Sequence, residues 1–239
     1  MRQWLGSFAF SIFFVVTVVV YASLLFATLW LPGNDPYRWA VAWARAILRA
    51  LHVFCGLDYR VSGREHLPDG GAVVLLKHSS TWETVAQILI FPRQSWVLKR
   101  ELIWIPIFGW ALRQLKPIAI DRKSGASAVQ QVLSQGRSRL AEGLCVMIFP
   151  EGTRMPVGET RRYGLSGALL ASAAGKAIVP VAHNAGFFWP RGGWLKRAGT
   201  VRVVIGEPIA TAGRDAREIN DDVQRWIEAQ VAQLAPQSV

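Results

Sequence analysis

The chain has 239 residues, with 27 Lys and Arg against 16 Asp and Glu, a formal net charge of +11, and 51% apolar residues. This length fits one domain with a sizeable core and an appendage, and it is too short for two full-sized domains. The apolar content excludes a disordered chain, and eleven Trp with eleven Phe exclude a histone-like composition. Cys55 and Cys145 offer neither a disulfide framework nor metal-ligand spacing, so we expect no metal site. The composition therefore favours contact with a membrane.

The N-terminal segment is apolar and almost uncharged. No charged side chain lies between Arg2 and Asp35, and the apolar run Trp4–Leu31 exceeds the roughly 20 residues that span a bilayer core. The run ends at Pro32, where a helix would stop. A cleaved signal peptide would have a shorter apolar core, of about 7–15 residues, and a buried core helix would carry a polar stripe. The pattern predicts a membrane anchor helix in residues 1–34.

The next segment, residues 35–56, is amphipathic. Its basic side chains recur on one helical face, and its Trp and aliphatic residues lie on the other. The basic ones are Arg38, Arg45, Arg49 and His52. We predict a helix in the headgroup layer of the membrane, and a core-packing helix with a solvated basic side is the alternative. Because bases after the apolar run outnumber those before it, we expect the C-terminal side on the cytoplasmic face of the inner membrane.

The remaining chain, residues 57–239, alternates short apolar segments with helical patterns. The predicted strands are 72–77, 96–98, 117–120, 144–149, 178–182 and 201–205, and the predicted helices are 84–90, 127–142, 165–174 and 215–234. This alternation predicts an α/β fold with a mixed, mostly parallel sheet flanked by helices. In such sheets, functional side chains usually lie at strand ends and in the following loops.

The first strand end carries a histidine and an acid. His78 follows the strand, and Glu83 lies five positions later, in the first turn of a predicted helix. A carboxylate that orients an imidazole is the base half of a Ser-His-Asp system. No Gly-x-Ser-x-Gly elbow supplies a nucleophile, so the hydroxyl to be activated can belong to the substrate. A histidine that merely caps a strand end is the alternative.

Other strand ends carry cationic groups. The strand 144–149 runs into Pro150-Glu151-Gly152-Thr153-Arg154, a tight turn that can offer N–H groups and a guanidinium to a phosphate. Arg122 follows another strand, and Lys99 ends a third. For each cluster alone, a solvated basic loop is the simpler interpretation. Their joint placement at strand ends favours an anion site.

Taken together, these motifs resemble those of the glycerolipid acyltransferases, and most closely the bacterial 1-acylglycerol-3-phosphate acyltransferases. The motifs occur in the family's order between residues 57 and 207: His78 with Glu83, Arg122 after Pro-Ile-Ala-Ile, Phe-Pro-Glu-Gly-Thr-Arg at 149–154, and Ile-Val-Pro-Val-Ala at 178–182. The resemblance implies transfer of a fatty acyl group from acyl-CoA or acyl-carrier protein to the 2-hydroxyl of lysophosphatidic acid, giving phosphatidic acid.

The resemblance also implies a role for each matching residue. His78 would be the general base and Glu83 its orienting carboxylate, and the strand through Pro180 would line or support the acyl-donor site. The glycerol-phosphate would be held by Arg122, Glu151, Gly152, Thr153 and Arg154, with Lys99 as a weaker candidate. No cofactor and no metal are required, and the partners would be membrane lipid, lysophosphatidic acid and the acyl donor, without nucleic acid.

The sequence departs from the family pattern at three positions. Glu83 stands where Asp is most often found, Lys77 where Asn is frequent, and Met155 where Ser is frequent. The last two leave the acceptor open, so that a lyso-ornithine lipid or a lysophospholipid remains an alternative. A membrane-tethered module that binds anionic lipid or nucleic acid without chemistry is the alternative from a different class.

Overall fold

A computed structural model describes residues 1–122 and 124–235. In this part of the chain, seven strands form a single sheet in the order β1-β7-β6-β2-β5-β3-β4. All neighbouring strands are parallel except β6 and β7, which are antiparallel. The strands are β1 Leu57–Ser62, β2 Val73–Leu76, β3 Gln94–Lys99, β4 Ile118–Ile120, β5 Cys145–Ile148, β6 Ile178–His183 and β7 Gly199–Ile205. The predicted mixed, mostly parallel sheet is confirmed.

Helices cover both faces of this sheet. The helices are α1 Arg2–Ala27, α2 Pro36–Ala50, α3 Trp82–Ile90, α4 Phe108–Gln114, α5 Ala126–Ala141, α6 Ser166–Ala174, α7 Ala185–Phe188 and α8 Ala216–Leu234. Successive side chains of a strand point to opposite faces. In β2, Val74 and Leu76 therefore pack with α1, α2 and α3, whereas Val73 and Leu75 pack with α5, α6 and α8. The result is a sheet buried between two helical layers.

Helix α1 lies along the domain instead of standing free of it. Its Phe10 is fully buried, and polar side chains on the same side contact the loop around Lys196. The Lys196 N–H donates to Ser7 Oγ at 2.9 Å, the Lys196 ammonium donates to Ser11 Oγ at 2.8 Å, and the Gln3 amide donates to the Lys196 carbonyl. The opposite face of α1 leaves large apolar side chains exposed along its whole length.

By length and composition, α1 is the one helix within the described residues that could cross a membrane. It has 26 residues and a mean hydropathy of 2.5, and an α-helix of that length measures about 39 Å. The helix ends at Ala27, earlier than the predicted stop at Pro32, and a turn begins at Thr28. The division of the chain into residues 1–34, 35–56 and 57–239 remains a prediction.

Helix α2 has the predicted amphipathic character. Asp35 caps it, its side chain accepting the N–H of Tyr37, and Pro36 occupies the first helical position. Ile47 and Leu48 are buried in the core, and the bases of the opposite face are exposed. A π-helical turn, Leu51–Cys55, ends at Gly56, which has a φ of 64°. The apolar side of α2 therefore packs on the domain, and contact of its basic side with lipid headgroups remains a prediction.

Candidate active site

The carboxyl ends of four parallel strands meet at one edge of the sheet. β2, β5, β3 and β4 are neighbours in that order and run in the same direction. Their ends deliver His78, the turn that begins at Pro150, Lys99 and Arg122. The parallel topology accordingly brings together motifs that are far apart in sequence.

His78 and Glu83 form a buried hydrogen-bonded pair. His78 Nδ1 lies 2.9 Å from Glu83 Oε1. The same oxygen accepts the backbone N–H of Ser79 at 3.1 Å and of Ser80 at 2.9 Å. Because Glu83 is in the first turn of α3, its side chain can reach back over the turn that links β2 to the helix. One carboxylate oxygen thus orders both the loop and the imidazole.

A second histidine, His183, lies next to this pair. It ends β6, is almost fully buried, and its Nδ1 accepts the Ala185 N–H at 3.1 Å. Nε2 therefore carries the proton and donates to the Lys77 carbonyl at 2.9 Å. Nε2 is also 3.8 Å from Glu83 Oε2, an oxygen that is buried with no hydrogen-bond partner among the described residues. His183 therefore holds the end of β2 through a hydrogen bond to the Lys77 carbonyl, and it lies beside the Glu83 carboxylate.

Burial and the neighbouring polar groups shift the pKa values of Glu83 and His183 in opposite directions. Burial disfavours the charged form of Glu83, but the hydrogen bonds from His78 and the Ser80 N–H favour it, and the pKa of Glu83 is lowered. Burial also lowers the pKa of His183, despite the nearby carboxylate. Glu83 is thus a carboxylate at neutral pH, beside a neutral His183.

Glu151 is also fully buried, and both of its carboxylate oxygens accept hydrogen bonds from other residues of the chain. Its Oε2 accepts the His78 N–H at 2.8 Å, and its Oε1 accepts from the Lys77 ammonium at 2.7 Å. Burial raises the pKa of Glu151, and the Lys77 ammonium opposes that effect. Since each oxygen accepts from a protein group, this placement links the turn after β5 to the strand end after β2, and a role of Glu151 in headgroup binding stays a prediction.

The rest of that turn lies closer to solvent. Gly152 has a φ of 68°, a value that favours glycine, and its N–H donates to the Phe149 carbonyl at 2.9 Å. Arg122 reaches across from the end of β4 and donates to the Gly152 carbonyl at 2.6 Å. Thr153 and Arg154 follow and are half-buried, and Arg154 Nε is buried without a partner in the part of the chain that the structure describes. The turn thereby brings two guanidinium groups near His78.

A cavity of about 610 Å³ opens beside the pair, within the usual range of about 300–1,000 Å³ for small-molecule sites. His78, Arg122 and Arg154 line it, and the His78 ring stacks on Phe149 with 4.0 Å between ring centroids. The rest of the wall is mainly apolar and comes from α1, α2, α3, β3 and α4. The cavity therefore combines one imidazole and two guanidinium groups with a long apolar wall.

Lys99 and Pro180 are predicted site residues that neither line this cavity nor belong to the turn beside it. Lys99 is half-exposed at the end of β3 with its Nζ 3.4 Å from Glu101, and it is not among the cavity-lining residues of the described chain. Pro180 is inside β6, paired with Leu75, where it supports the strand that carries His183. A role for Lys99 in phosphate binding and for Pro180 in donor binding stays a prediction.

Comparisons with known proteins show the family to which the chain belongs. The family model described as "Acyltransferase" matches residues 58–184. A 1-acyl-sn-glycerol-3-phosphate acyltransferase of Pseudomonas aeruginosa is 43% identical over 210 residues, covering 86% of this chain and 82% of that protein. The human 1-acyl-sn-glycerol-3-phosphate acyltransferase beta is 26% identical over 175 residues, covering 72% of this chain and 63% of that protein.

A solved structure has the same fold. The crystal structure of the 1-acyl-sn-glycerophosphate (LPA) acyltransferase PlsC from Thermotoga maritima superposes with a TM-score of 0.79 at 24% identity, covering 100% of this chain and 98% of that one. The family model spans more than half of the chain, and the Pseudomonas relative is similar over most of its length. The chain is a member of the acyltransferase family.

Proposed function

We propose that this protein transfers a fatty acyl group from acyl-CoA or acyl-carrier protein to the 2-hydroxyl of 1-acylglycerol-3-phosphate, giving phosphatidic acid. The observation that carries the proposal is the shared cavity: His78, paired with Glu83, opens on the same apolar space as Arg122 and Arg154. This arrangement suits a substrate with one hydroxyl, one phosphate and long acyl chains. The names of the Pseudomonas and human relatives support the same acceptor.

In the proposed mechanism, His78 is the general base. Its Nδ1–H donates to Glu83, which leaves the Nε2 lone pair for the acceptor hydroxyl. The hydroxyl proton passes to Nε2 while the hydroxyl oxygen bonds to the thioester carbonyl carbon. The carbon–sulfur bond then breaks, and the imidazolium returns the proton to the departing thiolate. Glu83 stabilises the imidazolium between these two transfers.

Arg122 and Arg154 would bind the phosphate of the acceptor. Arg122 is fixed by the Gly152 carbonyl, and Arg154 lines the cavity with an Nε that has no hydrogen-bond partner among the described residues. Guanidinium groups bind phosphate oxygens through paired, charge-assisted hydrogen bonds. Anchoring the phosphate would bring the 2-hydroxyl to His78, and such positioning accounts for much of the rate when the thioester is already activated. The proposed reaction uses no metal and no resident cofactor.

The apolar wall of the cavity would bind an acyl chain, and the protein surface around the cavity would contact the membrane. Exposed aromatic side chains of α1 and of residues 102–110 lie on the elements that also line the cavity. Acyl chains could therefore enter from lipid without crossing water. We place the protein at the inner membrane with the cavity on the cytoplasmic side, where both acyl donors are made.

The test is an acyl-transfer assay with the purified full chain in detergent micelles. Labelled 1-oleoylglycerol-3-phosphate is incubated with oleoyl-CoA or oleoyl-acyl-carrier protein, and parallel reactions contain a lyso-ornithine lipid or lysophosphatidylcholine as acceptor. We expect labelled phosphatidic acid as the main product. Efficient acylation of the acceptors without a terminal phosphate, and none of the phosphorylated one, would contradict the proposed acceptor. Binding with no product in any reaction would contradict the proposed chemistry.

A further inference from the structure

The backbone of Lys77 and His78 is held at every polar atom. The Lys77 N–H donates to the Val181 carbonyl at 3.1 Å, and the Lys77 carbonyl accepts from His183 Nε2 at 2.9 Å. The His78 N–H donates to Glu151 Oε2, and the His78 carbonyl accepts the Met155 N–H, both at 2.8 Å. The position of the imidazole therefore depends on these partners.

One of these partners, Glu151, is itself held by the buried ammonium group of Lys77. The Lys77 side chain is 3% exposed, and its Nζ lies 2.7 Å from Glu151 Oε1. The same Nζ lies 2.9 and 3.0 Å from the two carboxylate oxygens of Glu228 and 3.1 Å from the Glu159 carbonyl. An ammonium has three N–H donors, so these three residues satisfy Lys77 completely.

Glu228 comes from a distant element, the C-terminal helix α8. Its carboxylate also accepts from the Tyr163 hydroxyl at 2.6 Å and the Thr160 hydroxyl at 2.9 Å. Burial, with Glu228 adding to it, raises the pKa of Tyr163, so the phenol remains a donor. Glu228 thus connects α8, and with it Thr160 and Tyr163 of the loop 159–163, to Lys77 through hydrogen bonds.

We propose that Glu228 is a positioning residue of the reaction: it fixes Lys77 and, through Lys77 and Glu151, the backbone N–H of His78. The proposal rests on the proposed role of His78 as the base. The buried charges are coupled, because removal of Glu228 leaves an ammonium N–H without an acceptor and a Glu151 carboxylate with a less ordered partner. A shift of the imidazole by about 1 Å can reduce turnover by about 10²-fold.

The test compares two substitutions with a control on the same helix. Glu228→Gln keeps the size of the side chain and an oxygen that accepts from Lys77 and Tyr163, whereas Glu228→Leu removes every acceptor. Asp222→Asn is the control, because Asp222 pairs only with Arg214 and Arg225 among the described residues and lies toward solvent. Each full-length variant is assayed for kcat and KM with both substrates, and its thermal unfolding is recorded.

We expect Glu228→Leu to lower kcat by about 10-fold or more with both KM values within about twofold of wild type. Glu228→Gln should lower kcat only a few-fold, since one acceptor remains, and Asp222→Asn should match wild type. Amide hydrogen exchange at residues 77–79 should be slowest in wild type, faster in Glu228→Gln and fastest in Glu228→Leu. The exchange readout does not depend on activity, so it remains informative if the wild type transfers no acyl group and the proposed function fails.

Three outcomes would overturn the proposal. One is wild-type kcat for Glu228→Leu, and another is a lowered kcat with unchanged exchange at residues 77–79. The third is an equal loss in Asp222→Asn, which would indicate a general effect of α8. If Glu228→Leu does not fold, Glu228→Gln decides, and unchanged kcat together with unchanged exchange rejects the proposal.

Discussion

Nδ1 of His78 lies 2.9 Å from Oε1 of Glu83, and that oxygen also accepts two backbone N–H groups of the intervening turn. The imidazole is therefore oriented by a carboxylate that is itself fixed by two backbone N–H groups. Stacking on Phe149 restrains the ring plane as well. Such preorganisation keeps Nε2 in place during the reaction and reduces the cost of reorganisation in the transition state.

Replacing His78 should abolish most of the activity. His78→Ala removes the proposed base, and general-base catalysis is typically worth about 10²–10⁴-fold in rate. We expect a loss of that size in the acyl-transfer assay, with membrane association unchanged in flotation experiments. His52→Ala is the matched control, because His52 is exposed on the π-helical turn and should leave activity intact. Retention of a few per cent of turnover by His78→Ala would exclude His78 as the base.

Glu83→Gln separates the charge of the carboxylate from its shape. The amide oxygen can still accept the His78 Nδ1–H and the two backbone N–H groups, but it carries no charge to stabilise the imidazolium. We expect kcat to fall by about 10²-fold, and Glu83→Asp, which keeps the charge, to fall less. Steady-state kinetics of both variants give the two kcat values. Equal activity of Glu83→Gln and wild type would reject the dyad.

The lowered pKa of Glu83 also predicts how stability depends on pH. The carboxylate is stabilised in the folded state, so its contribution is complete above the unfolded-state pKa, about 4.3 for a glutamate. That contribution is lost as the pH falls from the unfolded-state value through the lower folded-state value. Acidification below about pH 5 should therefore destabilise wild type more steeply than Glu83→Gln, as measured by denaturant unfolding in detergent. Parallel curves for the two proteins would contradict the shift.

Most of the fold could be predicted because the buried strands are continuous apolar segments. Each of the six predicted strands overlaps an observed one. The strand β1 was missed because it is an edge strand, in which the exposed Asp58 and Arg60 alternate with buried or half-buried residues, so that its apolar content is low. Helices α4 and α7 were missed because they have only seven and four residues, too few for a periodic pattern.

The parts of the site that could be predicted are those that are close in sequence or that follow predicted strands. His78 and Glu83 are five positions apart, so the chain itself brings them together. The contacts of His183 and Glu228 with Lys77 span 106 and 151 positions and depend on packing across the fold. One signal for His183 existed, because it directly follows the predicted strand 178–182. The buried role of Glu151 also required the structure, since a polar residue in a tight turn is typically exposed.

Filling the cavity should shorten the acyl chain that the protein accepts. Ala111 on α4 is buried and lines the cavity, so Ala111→Phe adds volume to its apolar wall. We expect the ratio of kcat/KM for palmitoyl to lauroyl donors or acceptors to fall by about 50-fold, since about three CH₂ groups, each worth about 0.8 kcal/mol when buried, would be excluded. Ala111→Ser, which changes the volume little, should keep the wild-type ratio. An unchanged ratio for Ala111→Phe would indicate that acyl chain does not reach α4.

Replacing Arg154 should weaken binding of the phosphorylated acceptor and spare the thioester donor. Arg154 lines the cavity shared with His78, and its Nε has no hydrogen-bond partner among the described residues, so a phosphate bound by this guanidinium would gain a charge-assisted hydrogen bond worth about 1.5–3 kcal/mol. Arg154→Ala should therefore raise the KM for 1-acylglycerol-3-phosphate by about 10- to 100-fold with the KM for acyl-CoA nearly unchanged. Arg161→Ala is the control, because Arg161 is exposed on the following loop. Since both substitutions remove one positive charge, an equal rise in both would trace the effect to the net charge of the protein and not to a phosphate contact. A selective rise for Arg154→Ala, absent with an acceptor that lacks the phosphate, would locate the headgroup at this guanidinium.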